Sequence, residues 1–139
     1  MNAYKFDEIY VGLTHSFKSS ISPSAMDKFL EISNDTNPLH IDQEYAVEKG
    51  FDGKVVYGLL TSTFYSTLVG VHLPGKYCIL QGINIQYSKP VYVGDQLTIS
   101  GKVHYINEAY KQIEIKAMIT NQYDEKVSIA TIKAGVMDE

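Results

Sequence analysis

The spacing of hydrophobic residues predicts a helix early in the chain. Met26, Phe29 and Leu30 fall on one helix face, at intervals of three and four residues. Ser22 and Pro23 precede them, and this pair favours a helix start because serine caps free N–H groups and proline suits the first turn. We therefore expect a helix that begins at Pro23 and buries one apolar face.

A polar loop and a second short helix are predicted next. Pro38 disfavours helical backbone at the residue before it, so the first helix should end near Asn34. The sequence then predicts a loop over residues 35–41, followed by a short helix that Asp42 caps and Gly50 ends.

The middle of the chain contains a long segment without charge. No Asp, Glu, Lys or Arg occurs from Val55 to Gly75. The segment is rich in Tyr, Thr and Ser, and this polarity argues against a membrane span of about 20 residues. A helix that lacks charge but is only moderately apolar is typical of the interior of a folded domain. The pattern therefore predicts a buried central helix from about Gly58 to Val71.

Alternating hydrophobic and polar residues predict strands in the second half of the chain. Turn-forming residues interrupt this pattern near Pro90, near Asn107 and near Gln122. The residues expected to share the core-facing side of these strands are Ile79, Ile83, Ile85, Tyr87, Leu97, Ile99, Val103, Tyr105, Ile113, Ile115, Ala117 and Ile119. Gly82 is a candidate bulge. A last strand is predicted over residues 127–136, and an early one over Thr14–Ser19.

Together these elements predict an α+β fold. Long strands at hairpin spacing form an antiparallel sheet with one polar face, and the hydrophobic face must cover another element. The uncharged helix is the obvious element to cover. We expect a single domain, residues 1–139, in which a curved antiparallel sheet wraps around a long central helix.

Composition and charge exclude several classes of function. The net charge is −4 and no basic run occurs, which disfavours nucleic-acid binding. Cys78 is the only cysteine, which excludes an internal disulfide and agrees with a reducing compartment. The N-terminal residues contain charges and no apolar stretch typical of a signal peptide. We expect a cytoplasmic protein, away from membranes, that holds no metal and no cofactor.

Four motifs occur in a recognisable order. They are Asp35-Thr36-Asn37-Pro38-Leu39-His40, Val56-Tyr57-Gly58-Leu59-Leu60, Leu73-Pro74-Gly75 and Lys89-Pro90-Val91-Tyr92-Val93-Gly94-Asp95. Over roughly residues 10–136 the chain resembles the MaoC-like (R)-specific enoyl-CoA hydratase and dehydratase family, which has the hot-dog fold. The resemblance implies reversible hydration of a trans-2-enoyl thioester of CoA or acyl-carrier protein to an (R)-3-hydroxyacyl thioester. It also implies a homodimer, or a higher homo-oligomer built from dimers.

Three residues of these motifs suit the chemistry of that reaction. Hydration needs a base for water, an acid for C2 and a group that holds charge on the thioester oxygen. An imidazole ordinarily titrates near neutral pH, so His40 suits the base. The resemblance assigns both Asp35 and His40 to the activation of water, and which of them donates the C2 proton stays open. The amide of Gly58, at the start of the buried helix, is free to polarise the thioester carbonyl.

The resemblance also implicates Ser66, Asn37 and Tyr57. Ser66 lies about two turns along the helix from Gly58, where members of the family carry a serine near the catalytic acid. Asn37 stands between the two water-activating residues and is expected to hold the loop by side-chain-to-backbone hydrogen bonds. The chain departs from the family pattern at Tyr57, where a histidine is common, and we expect this residue to influence substrate preference.

Other interpretations of the same residues stay open. Asp35 also suits an ordinary turn, and Gly58 also suits a position where two elements pack closely. The same fold supports thioesterases, but those enzymes usually place a carboxylate on or near the central helix, and this helix has none. A further alternative is a non-catalytic module that binds acyl thioesters, for which Tyr57 is the only support in the sequence.

Overall fold

The computed structural model describes all 139 residues as four α-helices and five strands. The helices are α1 (Pro23–Ser33), α2 (Pro38–Ile41), α3 (Gln43–Glu48) and α4 (Gly58–Thr67), and the strands are β1 (Thr14–Ser19), β2 (Cys78–Tyr87), β3 (Leu97–Asn107), β4 (Gln112–Thr120) and β5 (Lys126–Val136). A 3-10 turn at Phe6–Glu8 precedes them, and a π-helical turn at Leu68–His72 extends α4. None of the helices combines the length and the apolar character needed to cross a lipid bilayer.

The five strands form one antiparallel sheet in the order β1-β3-β4-β5-β2. Ile115 of β4 lies opposite Ile132 of β5, which in turn lies opposite Ile83 of β2, so the apolar rows continue across strands. The register of β2 shifts between Leu80 and Gly82, which confirms the bulge predicted at this glycine.

The hydrophobic face of the sheet covers the central helix, as the sequence predicts. The core of 23 buried residues combines Tyr65, Leu68 and Val69 of the helical segment with inward-facing residues of the strands. Leu68 approaches β3 at Gly101, where a Cβ atom would lie 2.7 Å from the leucine side chain. A glycine at this point lets the helix sit directly on the sheet, and truncation of Leu68 to alanine should cost about 2–5 kcal/mol of stability.

The predicted loop over residues 35–41 contains a helical turn that the sequence analysis missed. Residues Pro38–Ile41 form α2 because Pro38 takes the first helical position, where its missing N–H costs nothing. The side chain of Asn37 accepts a hydrogen bond from the Leu39 amide at 2.9 Å and caps the turn. The rule that disfavours helix before a proline was therefore correct for Asn37 but says nothing against a helix that starts at Pro38 itself.

Strand β3 corrects one prediction about the core. Tyr105, expected to face inward, is 50% exposed because the register of β3 shifts between Val103 and Tyr105. A bulge adds one residue to a strand and moves the following side chains to the opposite face.

Candidate active site

The loop between α1 and α2 holds Asp35 by local hydrogen bonds. Helix α1 ends at Ser33, and Asn34 takes a left-handed conformation with φ of +55° that turns the chain. The Asp35 amide donates to the Ser33 hydroxyl at 3.2 Å, and the carboxylate Oδ1 accepts from the Asn37 amide at 3.1 Å. One carboxylate oxygen therefore shapes the loop and the other has no partner within the chain. Asn37 contributes to this loop through backbone and capping bonds and lines no cavity beside Asp35.

The ring of His40 is oriented by a backbone carbonyl. Its Nδ1 lies 2.7 Å from the carbonyl oxygen of Val55, and the Val55 amide donates to the Leu39 carbonyl at 3.0 Å. Because a carbonyl oxygen only accepts, Nδ1 carries the hydrogen and Nε2 of the neutral ring keeps its lone pair. The arrangement presents Nε2 as the atom that takes up a proton.

Tyr57 contacts both members of the predicted pair. Its side chain is 2% exposed, and its hydroxyl donates to the backbone carbonyl oxygen of Asp35 at 2.9 Å. Its ring stacks on His40 with centroids 4.2 Å apart and also packs against Phe29. Burial, together with the nearby carboxylates of Asp35 and Asp27, raises the pKa of Tyr57 above its ordinary value. The hydroxyl therefore stays protonated and keeps donating.

Helix α4 begins with free amide groups. Tyr57 precedes the helix without a side-chain cap, and the amides of Gly58, Leu59 and Leu60 have no acceptor within the chain. These groups lie at the positive end of the helix dipole. A Cβ atom at Gly58 would lie 3.1 Å from the ring of Tyr87, so close packing also favours glycine here. Both interpretations of Gly58, a donor and a packing position, have geometric support.

Two cavities meet at these residues. The outer cavity, of about 270 Å³, is lined by Asp35, His40, Tyr57 and Gly58, together with residues of α1 and α4. The inner cavity, also of about 270 Å³, lies between α4 and the sheet and includes Thr61, Val127 and Ser128. His40, Gly58 and Tyr87 line both. The structure thus brings Asp35, His40 and the start of the buried helix together beside one cleft.

The structure does not bring Ser66 to this cleft. Ser66 is exposed and lines neither cavity, because eight residues turn a helix about 80° away from the direction of Gly58. Ser62 also lines neither cavity, but it contacts two residues that line both: its hydroxyl is 2.9 Å from the Gly58 carbonyl oxygen and 2.7 Å from the Tyr87 hydroxyl. Ser62 and Tyr87 are not among the residues that the sequence predicts for the site. The four-residue spacing from Gly58 was a signal for the serine, whereas nothing near Tyr87 in sequence marks it.

Further hydroxyl groups lie in and beside the inner cavity. The hydroxyls of Tyr65 and Ser128 are 2.7 Å apart, and both residues are buried. Burial raises the pKa of Tyr65 to about 12, so its hydroxyl is neutral at physiological pH. Thr61, on the same side of α4, is also buried, and its hydroxyl has no hydrogen-bond partner.

Comparison with known proteins identifies a family and several relatives. The family model described as MaoC-like domain matches residues 11–126. A 3-hydroxybutyryl-CoA dehydratase of Methylorubrum extorquens is 32% identical over 98 residues, which cover 70% of this chain and 62% of that protein. An (R)-specific enoyl-CoA hydratase of Aeromonas caviae is 38% identical over 80 residues, which cover 58% of this chain and 60% of that protein. The matched segments span about three fifths of the length of these relatives.

The fold also agrees with a solved structure. An unliganded R-hydratase from Pseudomonas aeruginosa superposes with a TM-score of 0.89 at 25% identity, covering 97% of this chain and 86% of that one. The predicted hot-dog fold, with its curved sheet around a central helix, is therefore confirmed.

Proposed function

Because the chain belongs to the MaoC-like domain family, we propose that it interconverts trans-2-enoyl and (R)-3-hydroxyacyl thioesters of CoA or acyl-carrier protein by adding or removing water. The observation that carries the proposal is the convergence of Asp35, His40 and the free amide of Gly58 on the outer cavity. The relatives named as (R)-specific hydratase and as dehydratase support the two directions of this reaction.

Asp35 and His40 activate the water in this proposal. His40 presents Nε2 as a proton acceptor because Val55 holds the opposite ring nitrogen. The unpartnered oxygen of Asp35 holds the same water from a second direction. The water oxygen forms a bond to C3, one water proton passes to the Asp35–His40 pair, and the pair delivers one proton to C2. Addition from one face follows because both groups line the same cavity.

The Gly58 amide holds the negative charge that develops on the thioester oxygen. It is unpaired within the chain and points from the positive end of α4. Removal of one donor from such a site typically costs about 3 kcal/mol of transition-state stabilisation. Ser62 and Tyr87 fix the first turn of α4, since Ser62 bonds the carbonyl of Gly58 and Tyr87 covers its α-carbon.

Tyr57 supports the catalytic pair and takes no proton itself. Its raised pKa keeps the hydroxyl neutral, and its contacts with the Asp35 backbone and the His40 ring fix the two relative to each other. A tyrosine at this position is thus compatible with hydration, and we propose that it sets the width of the outer cavity for the substrate.

A homodimer forms part of the proposal. Strand β2 is an edge of the sheet, ten residues long, and exposes Ile79, Leu80 and Ile83. A long apolar edge requires cover, and a second copy supplies it by pairing along the edge. Leu59 is 67% exposed on α4 and stands seven residues before Ser66, on the same face of the helix. We infer that pairing also covers this face, and that Ser66 contributes only in the pair.

The proposal is tested with trans-2-butenoyl-CoA as substrate. We expect loss of the enoyl absorbance and formation of (R)-3-hydroxybutyryl-CoA. Saturable binding of the substrate without turnover would instead support a non-catalytic binding module. Release of free CoA from a saturated acyl-CoA would support a thioesterase.

A further inference from the structure

Tyr87 lies at the boundary between the outer and the inner cavity. Three residues line both cavities, namely His40, Gly58 and Tyr87. Because Gly58 has no side chain, the side chains at this boundary are the rings of the other two residues. The Tyr87 ring lies directly over the α-carbon of Gly58, since a Cβ atom there would be 3.1 Å from Cε1 and 3.2 Å from Cζ of the tyrosine.

The two rings at this boundary are held differently. The Nδ1 of His40 lies 2.7 Å from the Val55 carbonyl oxygen, and the imidazole stacks on the buried ring of Tyr57. The Tyr87 side chain makes one hydrogen bond, at 2.7 Å to the Ser62 hydroxyl, and its ring stacks on no other aromatic ring. Tyr87 is also 51% exposed. Its ring therefore moves at the lower cost, because a single hydrogen bond between neutral groups contributes little once water can replace it.

Ser62 holds the Tyr87 ring across the start of α4. The Ser62 hydroxyl lies 2.9 Å from the Gly58 carbonyl oxygen, to which it donates because a carbonyl oxygen only accepts. A hydroxyl group has one hydrogen, so the Tyr87 hydroxyl must be the donor in its own bond with Ser62. Loss of the tyrosine hydroxyl would therefore leave the ring in place but remove the hydrogen bond that holds it.

The inner cavity is an apolar space on the far side of this boundary. Of the two cavities, Asp35 lines only the outer one, so in the proposed function C2 and C3 of the acyl group lie there. The walls of the inner cavity include Val56, Val91 and Val127, which suit the methylene groups of a fatty-acyl chain. A butenoyl group extends only a methyl group beyond C3, whereas a longer acyl chain needs further apolar space.

We propose that Tyr87 determines the length of the acyl chain that the protein accepts. With its hydroxyl on Ser62, its ring closes the way from the outer to the inner cavity and favours butenoyl over octenoyl thioesters. Removal of the ring, or its release from Ser62, joins the two cavities and admits the longer chain. The proposal rests on the proposed function for the position of C2 and C3.

The first test measures the binding of butanoyl-CoA and octanoyl-CoA by calorimetry. The longer chain should bring the wild-type protein no gain in affinity, because its additional methylene groups stay outside the inner cavity. In Tyr87→Ala these groups enter the cavity, and octanoyl-CoA should bind about tenfold more tightly than butanoyl-CoA, or better. Tyr87→Phe keeps the ring without its hydrogen bond and should show part of this gain. Tyr105→Ala is the matched control, because Tyr105 is 50% exposed on β3 and lines neither cavity.

Turnover gives a second readout of the same boundary. Values of kcat/KM are compared for trans-2-butenoyl-CoA and trans-2-octenoyl-CoA. The wild-type protein should favour the butenoyl substrate by about tenfold or more. Tyr87→Ala should lose this preference, mainly through a lower KM for the octenoyl substrate, since the ring obstructs binding of the longer chain and takes no part in proton transfer.

The role of Tyr87 would be overturned by tighter binding of octanoyl-CoA to the wild-type protein, by an unchanged ratio of affinities in Tyr87→Ala, or by the same gain in Tyr105→Ala. Hydration of trans-2-butenoyl-CoA alongside any of these results would leave the proposed function intact. A gain confined to the Tyr87 variants, without hydration of either substrate, would contradict the proposed function and support the boundary. Failure of both ligands to bind the wild-type protein would contradict both. Tyr87→Phe, which retains the ring over Gly58, decides the point if Tyr87→Ala does not fold.

Discussion

The hydroxyl of Tyr57 lies 2.9 Å from the backbone carbonyl oxygen of Asp35, and the ring of the same side chain stacks on His40. One buried residue thus contacts both members of the proposed water-activating pair. It contacts Asp35 through the backbone, so the carboxylate remains free to face the outer cavity. The position of Asp35 relative to His40 therefore depends on Tyr57, whose hydroxyl does not titrate near neutral pH.

Removal of the Tyr57 hydroxyl should weaken catalysis more than folding. Tyr57→Phe keeps the ring against His40 but releases the Asp35 loop, so we expect kcat to fall about tenfold and stability to fall by about 1 kcal/mol. Initial rates and urea unfolding measure the two effects. Tyr110→Phe is the control, because Tyr110 is 79% exposed. Equal rates for Tyr57→Phe and the wild-type protein would show that the bond does not position the loop.

A methyl group at position 58 separates the two interpretations of Gly58. Gly58→Ala should lower kcat by about 100-fold or more, because the methyl group obstructs approach to the free amide. The same methyl group would lie 3.1 Å from the Tyr87 ring, so crowding alone also predicts a loss. The variant Gly58→Ala is therefore compared with Gly58→Ala combined with Tyr87→Ala, and Tyr87→Ala alone is the reference. If Gly58→Ala leaves kcat unchanged in the Tyr87→Ala background, Gly58 is required for close packing against Tyr87 and not for binding of the thioester oxygen.

A charge on the exposed edge of the sheet should prevent dimer formation. Ile83 is 41% exposed on β2, and Ile83→Lys places an ammonium group in the proposed interface. We expect the molar mass from light scattering to fall by half. Ile32→Lys is the control, since Ile32 is 81% exposed on helix α1 and is not part of the sheet. An unchanged molar mass for Ile83→Lys, or a monomeric wild-type protein, would show that β2 does not form a dimer interface.

The buried Tyr65 should make stability depend on pH at the alkaline end. Burial raises its pKa from 10.0 to about 12, so the unfolded chain releases this proton at lower pH than the folded chain does. The unfolded state then binds fewer protons, and stability falls as pH rises from 10 to 12. The loss is about 2–3 kcal/mol for a shift of this size. Tyr65→Phe should be less stable than the wild-type protein at neutral pH but should lose less stability between pH 10 and 12. Urea unfolding of both proteins measures this. An equal loss of stability in the two proteins would show that Tyr65 does not cause the pH dependence.

Most of the fold can be predicted from the sequence because the patterns that specify its helices and strands are local. Ser22 caps α1 by accepting from the Ala25 amide at 3.1 Å, as the Ser-Pro pair predicts. On β4 the alternation holds along the whole strand, and Ile113, Ile115 and Ile119 are fully buried. The alternation of hydrophobic and polar residues gives the wrong side for Tyr105, because one extra residue in β3 moves the following side chains to the opposite face of the sheet. No turn-forming residue marks this change in the sequence.

The candidate site was predictable where its residues are close in sequence. Asp35 lies in the connection between α1 and α2, His40 follows it by five residues in α2, and the family resemblance links both to Gly58. Tyr87 reaches the same cleft from the end of β2, and its contact with Ser62 depends on how the helix packs on the sheet. Tyr87 therefore has no signal in the local sequence, and Ser66 rather than Ser62 was expected because the family resemblance implies a serine at position 66.

The central claim is that His40 takes a proton from water while Val55 holds its opposite nitrogen. His40→Asn tests it most directly, because the asparagine amide can still donate to the Val55 carbonyl but has no counterpart of Nε2. Rates of trans-2-butenoyl-CoA hydration are compared for the wild-type protein and this variant, with thermal unfolding as the check of the fold. The account predicts near-normal stability and a kcat reduced about 1,000-fold. A folded His40→Asn protein with kcat within about tenfold of the wild-type value would contradict it.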